Sequence, residues 1–205
     1  MKIINRLFSY ATVVLATLEL LLVVGSWIVC TAFPESTFHT LLSSEGIRWF
    51  FGTFIANLQS ELLVWLLLLL VGYGCFSESG LPHAVRHLSL HGGIAYRERI
   101  ALMICLFELV AFLVVMTLLT CMPQAILRSV TGYFFPSDFS VSIVASLSFV
   151  LLMTGTTYGA ASRSFKDIHD WTNSMLSGIR RYSFLFVLYI FAVQFACSVR
   201  FVLSL

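Results

Sequence analysis

The chain has 205 residues; 59% are hydrophobic, 15% aromatic and 11% charged, with a formal net charge of +2. A water-facing domain carries about a quarter charged residues, so an ordinary soluble globular protein is excluded. The charge is far too small for a nucleic-acid footprint, and the composition is that of a membrane protein.

A bilayer crossing takes ~20 apolar residues as a helix. Five stretches meet that length: 7–33, 58–76, 100–122, 141–161 and 184–203. None alternates with a period of two, which argues against barrel strands. Backbone polar groups must be paired internally in lipid, so each is expected to be a helix. The expected fold is all-α, a polytopic membrane protein with about five transmembrane helices plus short interfacial helices, in one membrane domain spanning 1–205.

The first span follows Lys2 and Arg6 and carries Glu19. It is longer than the apolar part of a signal peptide and shows no small-residue cleavage site, so a mature helix is expected. The loop from Pro34 to Arg48 ends in S-S-E-G-I-R-W-F-F, where Ser43 or Ser44 can cap a helix. Trp49, Phe50, Phe51 and Phe54 form an interfacial aromatic belt on a helix expected over Ile47–Ala56.

The second span ends in F-S-E-S-G-L-P, residues 76–82. A short helix is expected beyond it, with Pro82 in its first turn and Gly92-Gly93 at its stop. His83, His87 and His91 are spaced i, i+4, i+8 and share one face of it. One helix face does not surround a metal. These are weak metal candidates, and an interfacial polar face is the preferred reading; no metal and no other cofactor is expected.

The loop S-F-K-D-I-H-D-W-T-N-S-M-L-S-G-I-R-R after the fourth span reads as an amphipathic surface helix. Ser164 and Asp167 form an acidic capping box, with Phe165, Ile168, Trp171, Met175 and Ile179 on one side. The five cysteines, Cys30, Cys75, Cys105, Cys121 and Cys197, lack metal-site spacing; a disulfide among Cys30, Cys121 and Cys197 is geometrically open.

Lys and Arg counts orient the chain. With the N-terminus inside, Lys2, Arg6, Arg86, Arg97, Arg99, Arg163, Lys166, Arg180 and Arg181 face the cytoplasm. Only Arg48, Arg128 and Arg200 face outward. The bias expects a cytoplasmic N-terminus and an external C-terminus.

Polar groups inside spans are costly and are candidates for function. Glu19, Glu108 and Gln194 all fall roughly 14–18 Å from the cytoplasmic face. They are expected either to hold a proton or ion, or to join helices by hydrogen bonds; the second reading carries more weight. No nucleotide loop, GxSxG or HExxH motif is present, and an enzyme is not expected.

Two blocks resemble a known family. S-S-E-G-I-R-W-F-F (43–51), followed by V-G-Y-G-C-F-S-E-S-G-L (71–81), is similar to the N-terminal part of the AbgT family of p-aminobenzoyl-glutamate transporters. T-Y-G-A-A-S-R-S-F-K-D (157–167), with Y-I-F-A-V-Q-F (189–195), resembles a later stretch of it. The resemblance implies a transport protein of a bacterial-type inner membrane. Family members are longer and carry two re-entrant hairpins and broken helices that build their substrate site. No such hairpin is read here between Gly93 and Ile100. The expectation is therefore a scaffold that does not transport alone, working as a homodimer or with a separately encoded transport subunit in the lipid bilayer. The alternative is a membrane assembly or regulatory subunit without transport. A third reading is a proton channel or small ion carrier using Glu19 and Glu108.

Overall fold

The computed structural model describes residues 2–33, 37–91, 95–121 and 138–204, with side chains over 6–33, 37–88, 95–120 and 142–204. Eight helices follow in chain order among the described residues. They are α1 (Lys2–Ala32), α2 (Ser44–Leu58), α3 (Glu61–Glu78), α4 (Leu81–His91), α5 (Tyr96–Cys121), α6 (Asp138–Ala161), α7 (Ile168–Tyr182) and α8 (Phe184–Leu203). Five are long and apolar enough to cross a membrane: α1, α3, α5, α6 and α8. The expected all-α architecture with five crossings and short additional helices is what the chain adopts. The Gly92-Gly93 stop, Arg128 and the first residues of the loop after α1 lie outside the described residues.

The chain divides into two compact units, Met1–Leu63 with Tyr182–Leu205, and Val64–Arg181. In the first unit α1 and α8 pack side by side. Phe8 meets Phe184 with ring centroids 4.9 Å apart, and further along Glu19 meets Ser198. Both partners advance in the same sense, so the two helices are parallel, as a first and a fifth crossing must be.

The segment after α1 is tied to the end of α8. The His39 N–H donates to the Val202 carbonyl at 3.1 Å, and the Ser204 hydroxyl to the Thr37 carbonyl at 2.9 Å. Ser43 caps α2, its hydroxyl accepting from the Gly46 N–H at 2.9 Å. Gly46 is needed there because a Cβ would overlap the Thr40 and Leu41 backbone. Trp49 then stacks on Phe201 at 4.4 Å and 16°.

The sequence placed the start of the second span at residue 58; the helix instead breaks at Gln59–Ser60 and restarts at Glu61. Tyr189 explains the break. Its hydroxyl lies 2.6 Å from the Ser60 hydroxyl and donates to the Leu58 carbonyl at 2.9 Å. A side chain from α8 thus satisfies a carbonyl that a continuous helix would have used itself.

The second unit is built around close backbone contacts to α3. A Cβ on Gly72 would lie 2.6 Å from the Ser148 carbonyl oxygen of α6, and one on Gly155 2.8 Å from the Phe76 nitrogen. On another side of α3, Gly74 faces Gly178 of α7: a Cβ on Gly74 would lie 2.6 Å from the Gly178 nitrogen and 2.7 Å from the Ser174 oxygen. Small residues at such crossings let helices approach closely in membranes. Leu81, Ala84, Ala101, Cys105 and Tyr158 form the buried core at the α4, α5 and α6 ends.

F-S-E-S-G-L-P is the corner between α3 and α4. Gly80 takes φ +84°, which closes the turn, and the fully buried Ser79 donates to the Phe76 carbonyl at 2.8 Å.

The capping box expected at Ser164 does not form. The Ser164 hydroxyl pairs with that of Ser162 at 2.9 Å, and α7 begins only at Ile168. Arg163 takes φ 61°, and Phe165 lies against Gly159 with its N–H on the Gly159 carbonyl. Asp170 does the capping, accepting from the Lys166 N–H at 3.1 Å. Phe165 is therefore not part of the helix's apolar side. The face of α7 that is buried carries Ser174 and Gly178, while Ile168 and Trp171 stay exposed.

Cys30, Cys75, Cys105 and Cys197 are free thiols, so Cys30 and Cys197 are not bridged to each other. The Cys121 side chain lies outside the described residues.

Candidate functional site

Three polar side chains of α8 face inward: Tyr189, Gln194 and Ser198. Gln194 and Ser198, four residues apart, share one helix side; Tyr189, five residues before Gln194, stands about 140° round the helix from it. Ser198 is fully buried, and its hydroxyl donates to Glu19 Oε1 at 2.6 Å. Gln194 is 5% exposed; its Oε1 accepts from Asn57 Nδ2 of α2 at 3.5 Å. Asn57 Nδ2 also lies 3.4 Å from Thr53 Oγ1. The seam thus links α1, α2 and α8.

Its parts differ in saturation. The Tyr189–Ser60–Leu58 group is bonded throughout. In the middle, Glu19 Oε2 and Gln194 Nε2 are buried without a hydrogen-bond partner in the protein.

Glu19 and Gln194 are thus brought to one seam, but they bond to Ser198 and Asn57 rather than to each other. Glu108 belongs to the second unit. There it borders a cavity of about 160 Å³ with Phe112, Phe149, Met153 and Thr154, and its Oε2 is likewise buried without a partner.

Asn57 also borders a groove of about 370 Å³ at the end of α8, shared with His39, Glu45, Trp49, Cys197 and Arg200. The sequence reading missed Ser198 and Asn57. Ser198 was legible as the residue one turn after Gln194. Asn57 was not, because the helix holding it was assigned to the interface.

The exposed His83 and His87 rings stack 6.3 Å apart on α4, and the His91 side chain lies outside the described residues. Among the described residues, no group of three or more His, Cys, Asp or Glu is placed to hold a metal.

The AbgT transporter family matches residues 83–202, more than half of the chain. The match runs from α4 to α8 and takes in both 157–167 and 189–195; the stretches 43–51 and 71–81 lie outside it. No curated protein and no solved structure matches the chain. A match of this extent over helices of this length and hydropathy makes the chain a multi-pass membrane protein of the AbgT transporter family.

Proposed function

We propose that this chain supplies the helical scaffold of an AbgT-type transporter for p-aminobenzoyl-glutamate or a related small molecule, and that it does not transport alone. The observation that carries this is the continuity of the matched helices. α5, α6 and α8 run unbroken for 26, 24 and 20 residues. Transporters place substrate at discontinuous helices, whose free ends supply the ligands, and no described helix in the matched stretch is interrupted mid-span. Close glycine crossings around α3 fit the same reading, since they serve rigid packing rather than a ligand cavity.

The scaffold works as a homodimer or beside a transport subunit encoded separately. Its place is a bacterial-type inner membrane, and the Lys and Arg distribution supports a cytoplasmic N-terminus. The test is uptake of labelled p-aminobenzoyl-glutamate by liposomes containing the purified chain. No saturable uptake is expected from the chain alone; saturable uptake would refute the scaffold role. The mass of the complex extracted from native membranes then separates a homodimer from a complex with a second membrane protein.

A further inference from the structure

We propose that Glu19 is a proton-exchanging carboxyl, reached by water through Gln194 and Asn57 from the groove at the end of α8. Glu19 is the only acidic residue on α1 or α8. A carboxyl within a span is costly unless its oxygens are satisfied. One oxygen is bonded to Ser198; the other, Oε2, is buried and unpartnered. Gln194 lies one turn before Ser198 on the same face, and its Nε2 is also buried and unpartnered.

These two free positions are complementary in kind. A carboxylate oxygen accepts and an amide nitrogen donates. A water molecule donates to the first and accepts from the second, and buried water sits where such polar partners converge. Asn57 bonds Gln194 on one side and borders the groove on the other, beside His39, Glu45 and Arg200. The polar series runs from the groove to Asn57 and Gln194, and Ser198, one turn further along the same α8 face, holds the Glu19 carboxyl.

A purely adhesive contact has a different signature in this same unit. The Tyr189 hydroxyl, the Ser60 hydroxyl and the Leu58 carbonyl satisfy one another directly. The Glu19 region leaves one acceptor and one donor over.

The transfer is simple. A hydronium in the groove gives up a proton along the water path. An O–H bond forms at Glu19 Oε2 as one breaks on the donor, leaving water and a neutral carboxyl, and release is the reverse. The titratable or charged groups on the elements around the seam are Arg6, Tyr10 and Cys30 on α1, Tyr189, Cys197 and Arg200 on α8, which packs against α1, and Glu45 and Arg48 on α2, which packs against α8, with His39 in the segment between α1 and α2. The inference stands whether or not the chain transports a solute.

Infrared spectra of the purified chain in H₂O and D₂O test it. A carboxylic-acid C=O band should appear on acidification, shift in D₂O, vanish in Glu19→Gln and persist in Glu108→Gln. Gln194→Leu should keep the band and slow its D₂O shift several-fold. The proposal is overturned if Glu19→Gln leaves the spectrum unchanged, if the band does not shift in D₂O, or if Gln194→Leu exchanges at the parent rate. It is also overturned if replacing choline by sodium at fixed pH alters the Glu19 band, which would mean a metal cation occupies the seam. Dicyclohexylcarbodiimide, which modifies protonated carboxyls in apolar surroundings, tests the parent chain without substitution. Glu19 should be labelled, several-fold less at alkaline than at acid pH; absence of label on Glu19 overturns the proposal.

Discussion

Gly178→Ala is the substitution whose cost follows most directly from the packing of the second unit. A Cβ there would overlap the Leu70 carbonyl oxygen and lie 2.9 Å from the Gly74 nitrogen. Relaxed carbon contacts need ~3.5–4.0 Å, so α3 and α7 must separate by more than about 1 Å. The obstructing atoms are backbone on both sides, and no rotamer change relieves them. Overpacking of this kind costs about 1–3 kcal/mol, and rigid neighbours put this case near 3 kcal/mol. Alanine returns about 1 kcal/mol through helix propensity, leaving a net loss of about 2 kcal/mol. For a chain of this size that lowers Tm by about 4–8 °C. Cys75, fully buried and next to Gly74, is the built-in reporter. Pulsed alkylation during heating, with the Cys75 peptide quantified, should show the thiol exposed at lower temperature in the variant. Gly25→Ala and Gly52→Ala are the controls, because a Cβ at either meets nothing within 4 Å. If Gly178→Ala exposes Cys75 at the same temperature as the parent, the crossing is not as close as described and the reasoning fails.

Tyr189→Phe removes the hydroxyl shared by Ser60 and the Leu58 carbonyl, and should cost about 1–2 kcal/mol. A double-mutant cycle with Ser60→Ala, read by thermal unfolding in detergent, should show the two effects to be less than additive; strict additivity would deny the contact. Gly159→Ala places a Cβ against the Phe165 ring, so Phe165 must leave its seat. Trypsin cleavage after the exposed Arg163 and Lys166 should then speed up several-fold, with cleavage at other sites unchanged. Ser198→Ala leaves Glu19 Oε1 without its donor and should destabilise the first unit by about 1–3 kcal/mol, an effect absent from Glu108→Gln.

The spans were legible because their signal is summed over some twenty residues, and lipid leaves the backbone only one way to pair its polar groups across such a run. The short helices were legible in part. Ser43 before Glu45 and Gly46 marked the start of α2, and its aromatic cluster marked its character. The boundary at Gln59–Ser60 was invisible, since nothing in A-N-L-Q-S-E breaks a helix; the cause is Tyr189, 129 residues beyond Ser60. The late start of α7 has the same origin. Ser164 and Asp167 satisfy a local capping pattern, but Phe165 gains more by lying on Gly159 than by joining the helix, and that trade depends on a contact from α6.

The polar seam shows how far residue type and depth carry an argument about a site. Depth put Glu19 and Gln194 at one level, and the parallel packing of α1 with α8 made that level meaningful. Depth could not say which helices face each other, so Glu108, equally deep, was grouped with residues of a different compact unit. The hydroxyl that receives Glu19 could have been found by asking what lies on the same α8 face as Gln194: one turn on stands Ser198. A carboxyl in a span needs a donor, and in the first unit α8 offers a hydroxyl and an amide on that face. The hydroxyl is taken and the amide nitrogen is left over. That remainder, next to an Asn57 that borders an open groove, separates this seam from the saturated contact at Tyr189 on the same helix.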